Sequence, residues 1–293
     1  MSLLVSIAKL YVRLVFRDGE YDALRTQRNF NRPDPPRALA KRCSRCDHNG
    51  TRAFWLDKAN SERGVLVYLH GGAFYFGPVK EHWDYFGLIC KQTQMAGLMI
   101  DYGFAPQRPF PIGLNEIVDL VSTIGLPPNW FFLGDSSGAG MAVSATFKLS
   151  ELNGPLPKKL VLMSPWVDVT LENPDIESKK DDDVMMTVER LSGAALDYVG
   201  GADPRDPLIS PMFGKLAGLP PMLIQMGTAD LLYPDCVRFR DKCAQAGVDV
   251  QYEEYPEAFH DFMMLSVLPE AKRAIKSQVR FLSAHSAYDD GEV

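Results

Sequence analysis

The sequence predicts an α/β fold in which a central, mostly parallel sheet of eight strands is flanked by helices on both sides. Three observations predict it. Short apolar runs alternate with helical patterns along most of the 293 residues. The inner runs are apolar without interruption, as is typical of strands buried on both faces. One run, 129–133, leads into a Gly-x-Ser-x-Gly turn at 134–138 that opens another helical pattern.

The predicted strands cover about 41–47, 51–57, 64–70, 98–102, 129–133, 159–164, 221–227 and 248–255. The predicted helices between and after them cover about 81–95, 114–124, 137–152, 235–246 and 268–283. The segment 168–209 breaks the alternation and contains a helical stretch at 188–199. Since it lies between two sheet strands, we expect it to be an insertion over the edge of the sheet.

The N-terminal stretch 1–16 predicts an amphipathic helix. One face carries Ser2, Ser6, Lys9 and Arg13, and the other carries Leu3, Ile7, Leu10 and Leu14. The helix is too short and too charged to span a bilayer. We expect its apolar face to pack on the protein itself, with contact to a membrane surface as the alternative. A second helical stretch at about 20–30 ends at a proline-rich break.

The composition of the chain excludes several classes of function. The chain is 46% hydrophobic with a net charge of −6, which favours one large core and no nucleic-acid partner. Its five cysteines are odd in number and scattered, so we expect no disulfide framework and a cytoplasmic location. Cys43, Cys46 and His48 have metal-ligand spacing. Because no second ligand pair matches them, no metal site is predicted.

The Gly-x-Ser-x-Gly turn has the context of a nucleophile elbow, since it joins a buried strand to a helix. Ser136 lies at its centre, and Gly134 and Gly138 let the backbone pack closely there. Ser137 is a rival nucleophile, but only Ser136 stands between the two glycines at the required spacing. Ser137 is instead expected to contribute its backbone N–H.

A serine nucleophile needs a base within hydrogen-bond reach and an acid that orients the base. His260 is the candidate base because it lies in the loop after the last strand. The other histidines occupy less suitable places: His48, His70, His82 and His285. Asp230, just past a buried strand, is the candidate acid. Its rival Asp235 is better explained as a helix N-cap.

The chain order Ser136, Asp230, His260 is that of the α/β-hydrolases. The negatively charged intermediate of acyl transfer needs preorganised donors, and a glycine-rich loop after the third strand is placed to supply them. We predict the N–H groups of Gly72, Ala73 and Ser137 as the oxyanion hole. The loop is shaped by its first two residues, His70 and Gly71.

With these residues in place, the chain resembles the hormone-sensitive-lipase-like esterases of the α/β-hydrolase fold. The segment 70–74, His-Gly-Gly-Ala-Phe, is similar to the family's HGGG-[FW] motif. Residues 134–138 resemble its GDSAG elbow, and 101–106 with 109–111 resemble its DYRLAP…PFP segment. The sequence departs from the family at Ala73, Ser137, Gly103-Phe104 and Asp261, which stands where glycine is common. None of these changes removes a catalytic group.

The resemblance implies a helical cap over the serine, built from 1–40 and the insertion 168–209. The catalytic core would then comprise 41–167 and 210–286, followed by a disordered tail, 287–293. Candidate pocket residues are Phe74, Trp83, Met185, Met186, Tyr198 and Phe213.

The resulting hypothesis is a serine carboxylesterase that cleaves short- to medium-chain acyl esters and uses no metal or cofactor. The expected partner is a small ester substrate, with no integral membrane span and a homodimer as an open alternative. A deacetylase, lactonase or amidase on the same triad remains an alternative. So does a non-catalytic small-molecule binding protein like the plant gibberellin receptors, which lack the catalytic histidine.

Overall fold

The computed structural model describes residues 2–14 and 34–284. Its strands are β1 Cys43–Arg45, β2 Arg52–Leu56, β3 Val65–Leu69, β4 Ala96–Asp101, β5 Trp130–Asp135, β6 Leu160–Met163, β7 Met222–Gly227 and β8 Val250–Tyr255. Its α-helices are α1 Leu3–Val12, α2 Arg37–Ala40, α3 Lys80–Thr93, α4 Ile112–Thr123, α5 Ser136–Glu151, α6 Val188–Val199, α7 Tyr233–Gln245 and α8 Pro269–Ser283.

The eight strands form one sheet in the order β1-β2-β4-β3-β5-β6-β7-β8. β2 pairs antiparallel with both β1 and β4, and every other neighbouring pair is parallel. The predicted α/β class and the mostly parallel eight-stranded sheet are therefore confirmed. The predicted helices also occur, with bounds that differ by a few residues.

The core lies in two layers because side chains alternate across a strand. In β3, Val65, Val67 and Leu69 enter one buried cluster while Leu66 and Tyr68 enter the other. The first cluster contains the buried faces of α4, α5 and α7, and the second contains those of α3 and α8. Continuous apolar strands are therefore required, since both faces of the sheet are covered.

The parallel strands all end at one edge of the sheet, so the loops that follow them converge there. The glycine-rich loop follows β3, the Gly-x-Ser-x-Gly turn follows β5, and the loops after β7 and β8 carry Asp230 and His260. The insertion 168–209 follows β6 and contains a 3₁₀ segment, Pro174–Lys179, and helix α6. The topology thus brings the predicted reactive side chains to one edge.

Helix α1 forms, but the prediction of its buried face was wrong. Val5 and Val12 are buried, whereas Ile7, Leu10 and Leu14 are exposed. Polar anchors explain the orientation: the backbone N–H of Ser2 donates to Glu270, and Lys9 approaches Glu257 at 3.7 Å. Because apolar side chains lie nearly all round this helix, their pattern could not define the docking face.

No helix in the described ranges is long and apolar enough to cross a membrane. The predictions of a second helix at 20–30, of a tail at 287–293 and of the place of His285 lie outside the described residues.

Candidate active site

Ser136 lies at the sharp junction between β5 and α5. Its φ of +49° is rare for a residue with a side chain. The backbone packs so closely at this junction that a Cβ would not fit at either of its two glycine positions. A Cβ on Gly134 would lie 2.7 Å from the Gly138 carbonyl carbon, and one on Gly138 would lie 2.1 Å from the Leu69 carbonyl oxygen. Ser136 thus stands at the elbow that the motif predicted.

The glycine-rich loop after β3 runs directly against this elbow. A Cβ on Gly71 would come within 2.9 Å of the Ser136 Cβ. Gly72 has a φ of +119°, and Ala73 keeps a φ of +50°. Since Gly72 N–H and Ala73 N–H find no protein acceptor among the described residues, both are free to bind an external oxygen. Ser137 N–H lies in the first turn of α5, where helical N–H groups have no intrahelical acceptor.

His70 holds this loop through stacking and main-chain hydrogen bonds. Its ring stacks on Tyr102 with centroids 4.7 Å apart, and the Tyr102 hydroxyl donates to the His70 carbonyl oxygen at 2.5 Å. Its Nδ1 lies 2.8 Å from the Gly71 carbonyl oxygen. A carbonyl oxygen only accepts, so Nδ1 carries the proton. These contacts agree with the loop-shaping role predicted for His70.

Asp135, the residue before the serine, ties the elbow to the glycine-rich loop. Its carboxylate accepts hydrogen bonds from the Tyr68 hydroxyl at 2.5 Å, the Gly71 N–H at 2.9 Å and His82 Nε2 at 3.2 Å. Burial alone would raise the pKa of Asp135, but His82 and Tyr68 outweigh it and hold the pKa below its usual value. No sequence pattern assigned a role to Asp135, His82 or Tyr68.

Asp230 and His260 lie side by side at the ends of β7 and β8. His260 Nδ1 is 2.8 Å from Asp230 Oδ2, and both side chains are buried. Asp230 Oδ1 accepts a hydrogen bond from the backbone N–H of Leu232, which fixes the orientation of the carboxylate. The predicted acid and base are thus brought together. In the described part of the chain, no hydrogen bond joins Ser136 Oγ to His260.

A second carboxylate, Asp261, faces the other ring nitrogen of His260. Asp261 Oδ2 lies 3.2 Å from Nε2, and the Asp261 backbone N–H donates to Ser164 Oγ. Burial raises the pKa of Asp261 to about 6, although the neighbouring His260 opposes this. For His260, burial opposes protonation, but Asp230 and then Asp261 raise its pKa well above the usual value.

Asp183 connects the 168–209 insertion to the loop after β7 that carries Asp230, which we call the acid loop. Its carboxylate accepts the N–H groups of Met185 and Met186 on one oxygen and that of Leu231 on the other. Burial, and then the nearby Asp230, raises the pKa of Asp183 to about 6. Nothing in the sequence distinguished Asp183 from the two aspartates before it, because what sets it apart is a hydrogen bond to a residue 48 positions away.

Asp235 is not the N-cap of α7 that the sequence predicted. The N-cap is Leu232, and Asp235 lies inside the first turn. Its Oδ1 instead accepts a hydrogen bond from Asn173 Nδ2 at 2.8 Å and lies 3.2 Å from Arg238. Burial raises the pKa of Asp235 to about 6. The helix begins at Tyr233, two residues before the expected start, with Pro234 at its second position.

The predicted pocket residues fall into two groups. Phe74 stacks on Tyr198 with ring centroids 3.6 Å apart, so the glycine-rich loop contacts α6, and Met185 and Met186 lie beside Asp183. The other two lie elsewhere. Trp83 packs edge-on against Phe54 in the second core cluster, and Phe213 lies under Arg205 and Lys242. The place of Trp83 and Phe213 in the candidate pocket stays a prediction.

Cys43 and Cys46 have metal-ligand spacing in the sequence. Within the described ranges, no group of three or more His, Cys, Asp or Glu side chains is arranged to hold a metal ion. Both cysteines are free and half-buried, and burial raises the pKa of Cys43 to about 11. Burial also raises the pKa of Cys46, and a raised pKa disfavours the reactive thiolate form.

The chain is similar to known proteins over most of its length. A family profile described as alpha/beta hydrolase fold matches residues 66–264. An acetyl-hydrolase of Streptomyces hygroscopicus is 36% identical over 235 residues, which are 78% of this chain and 79% of that protein. An esterase of Acinetobacter venetianus is 32% identical over 80% of each chain.

Solved structures agree over nearly the full length. The esterase EstE5, soaked with p-nitrophenyl butyrate, superposes with a TM-score of 0.84 at 27% identity, covering 96% of this chain and 98% of that one. An esterase from the bacterial hormone-sensitive lipase family superposes with a TM-score of 0.82 at 28% identity over the same shares.

Proposed function

Because the chain belongs to the α/β-hydrolase family and is an ester hydrolase of the hormone-sensitive-lipase-like type, we propose that Ser136, Asp230 and His260 are its catalytic triad. The observation that carries the proposal is the buried Asp230–His260 hydrogen bond of 2.8 Å at the sheet edge where the Ser136 elbow also lies. The two loops and the elbow follow strands β8, β7 and β5 of one parallel sheet.

The mechanism follows from these roles. Ser136 Oγ attacks the ester carbonyl carbon while its proton passes to His260 Nε2. The tetrahedral intermediate collapses, the bond to the alcohol oxygen breaks, and His260 returns the proton to the departing alcohol. Water, deprotonated by the same imidazole, then attacks the acyl-enzyme and releases the acid and the free serine. Asp230 keeps the Nδ1–H tautomer that leaves Nε2 able to accept.

The oxyanion formed in both steps would be held by three backbone donors. Gly72 N–H and Ala73 N–H come from the loop after β3, and Ser137 N–H comes from the first turn of α5. Backbone donors need no reorganisation as charge develops, so they stabilise the transition state more than the ground state. The replacement of the family's third glycine by Ala73 preserves this, since alanine keeps its N–H.

Ser136→Ala tests the proposal. We expect kcat for p-nitrophenyl butyrate to fall by about 10⁴-fold or more, because no other nucleophile can replace the serine. Ser144→Ala, a buried serine on the same helix, is the matched control and should retain activity. A fluorophosphonate probe should label Ser136 in the wild type. Labelling mapped to Ser137, or an inactive wild type with a folded spectrum, would overturn the assignment.

The substrate is a small ester, and we propose short acyl chains as the preferred class. The acetyl-hydrolase relative and the butyrate-soaked structural neighbour support that preference. A chain-length series from acetate to decanoate measures it. Faster hydrolysis of lactones or amides than of these esters would favour the alternative activities. The presence of His260 and its acid partner argues against a non-catalytic binding protein.

We also propose the domain division expected from the sequence, with the insertion 168–209 as a cap on the core. Three contacts support it: Phe74 on Tyr198, the Tyr75 hydroxyl on Asp197 at 3.0 Å, and Asp183 on the Leu231 N–H. A cytoplasmic location is supported by the five free cysteines. Sedimentation of the purified chain tests the homodimer.

A further inference from the structure

We propose that Asp261 is a positioning residue that holds Nε2 of His260 in the substrate-free enzyme and competes with Ser136 for it. The inference rests on the proposed triad and extends it. In that triad the imidazole should offer Nε2 to the serine hydroxyl. Here Nε2 faces the Asp261 carboxylate at 3.2 Å instead. His260 therefore stands between two carboxylates, one at each nitrogen.

The two contacts of the His260 ring determine its protonation state. Nδ1–H donates to Asp230 at 2.8 Å, and a contact between Nε2 and an ionised carboxylate needs a second N–H. The ring is then an imidazolium, which cannot act as a base. When Nε2 gives up its proton, its lone pair faces the Asp261 carboxylate, and that repulsion favours release of the ring toward Ser136. Asp261 thus stabilises the inactive, protonated form.

The backbone holds Asp261 in this place independently of its side chain. Its φ is +53°, a conformation that asparagine, aspartate and glycine adopt most readily. Its N–H donates to Ser164 Oγ at the end of β6, and its carbonyl oxygen accepts the N–H of Met264. Substitution of Asp261 by asparagine or glycine therefore leaves the loop anchored and removes only the carboxylate.

The charges around Asp261 come from several elements. Asp230 follows β7, Asp135 ends β5, Tyr68 lies on β3 and His82 on α3. Asp135 is already compensated by Tyr68, His82 and the Gly71 N–H. Asp261 also raises the pKa of His82, but His260 Nε2 is the cationic atom that Asp261 Oδ2 contacts, at 3.2 Å. Asp261 Oδ1 makes no hydrogen bond within the described residues.

The expected consequence concerns the acidic limb of the profile of kcat/KM against pH, which Asp261 should move to higher pH. Activity requires neutral His260, so a negative charge at Nε2 moves the limb to higher pH. Asp261→Asn and Asp261→Gly should each lower the limb of kcat/KM by about one pH unit, because a neighbouring charge of this kind shifts a pKa by that order. At a pH below both limbs, kcat/KM should rise about tenfold.

The experiment measures kcat/KM for p-nitrophenyl acetate from pH 4.5 to 9 at the isosbestic wavelength of p-nitrophenol. Glu257→Gln is the matched control, since it removes one charge from the same loop at an exposed position paired with Lys9. The control should keep the wild-type limb. Unmoved limbs in both folded Asp261 variants, or equal loss of activity at every pH, would overturn the inference.

A second measurement separates this inference from the proposed function. Histidine-selective ¹⁵N labelling follows the titration of the His260 ring without turnover. In Asp261→Asn the titration should move to lower pH by about the same unit. If the wild type hydrolyses no ester, the proposed function fails, and the ring titration alone decides the role of Asp261. If the enzyme is active and the ring titration does not move, the inference fails while the function stands.

Discussion

The backbone at the elbow sets the position of Ser136. A positive φ at a non-glycine residue costs of order 1–3 kcal/mol and persists only where the surroundings hold it. Two glycines and the contact of the elbow with the Leu69 and His70 carbonyl oxygens provide those surroundings. The side chain is thereby held at the end of the sheet and at the start of α5.

Gly138→Ala tests this dependence. The added Cβ would lie 2.1 Å from the Leu69 carbonyl oxygen, which is backbone and cannot rotate away. We expect the free energy of unfolding to fall by about 3 kcal/mol or more, with loss of activity, as for other overpacked backbone sites. Urea denaturation measures it. Gly154→Ala is the control, because its nearest contact is the flexible end of Leu149 at 3.2 Å. Equal stability of the two variants would contradict the prediction.

Helix α6 supports the glycine-rich loop from outside the sheet. Its Tyr198 stacks on Phe74, and its Asp197 accepts the hydroxyl hydrogen bond of Tyr75. A backbone N–H pair stabilises an oxyanion only if the loop is held within a fraction of an ångström. We therefore expect the inserted segment to influence catalysis by supporting the residues that follow the proposed donors.

Tyr198→Ala should lower kcat/KM for p-nitrophenyl butyrate by about tenfold, because removal of the ring lets the loop relax away from its position. Tyr198→Phe keeps the stack and should remain within about twofold of the wild type. Circular dichroism checks that both variants fold. The role of α6 would be refuted by a Tyr198→Ala enzyme with unchanged kinetics.

The distribution of buried carboxyl groups makes the stability of the protein depend on pH. Burial raises the pKa of Asp183, Asp235 and Asp261 to about 6 each. For an acid whose folded pKa exceeds its unfolded value, the folded state binds more protons over the interval between them. The stabilising contribution is then complete below about pH 4 and is lost as the pH rises through about 6.

Asp235→Asn tests the contribution of one of these three carboxyl groups, which is not part of the proposed triad. A pKa raised by about two units corresponds to about 2 kcal/mol between pH 4 and pH 7. Relative to the wild type, the variant should therefore gain about 2 kcal/mol of unfolding free energy on going from pH 4 to pH 7. Urea denaturation at both pH values measures it. Asp241→Asn, an exposed carboxylate on the same helix, should show no such gain.

Motif and periodicity were sufficient for the sheet and for the position of Ser136 at the sharp turn. A continuous apolar run that ends in Gly-x-Ser-x-Gly leaves few alternatives to a buried strand and a sharp turn. They were not sufficient for α1, whose apolar residues surround the helix so that Ser2 and Lys9 orient it. Nor do they decide whether Trp83 and Phe213 line the pocket, since a large apolar side chain does not specify which cavity or core it fills.

The sequence alone determined the α/β class, the strand order along the chain and the candidate identities of Ser136, Asp230 and His260. These depend on local pattern and chain order. Only the tertiary structure decided that Asp183 bonds the acid loop and that Asp261 faces Nε2 of His260. Both results depend on burial and on contacts that the fold creates, and an aspartate in a sequence carries no mark of either.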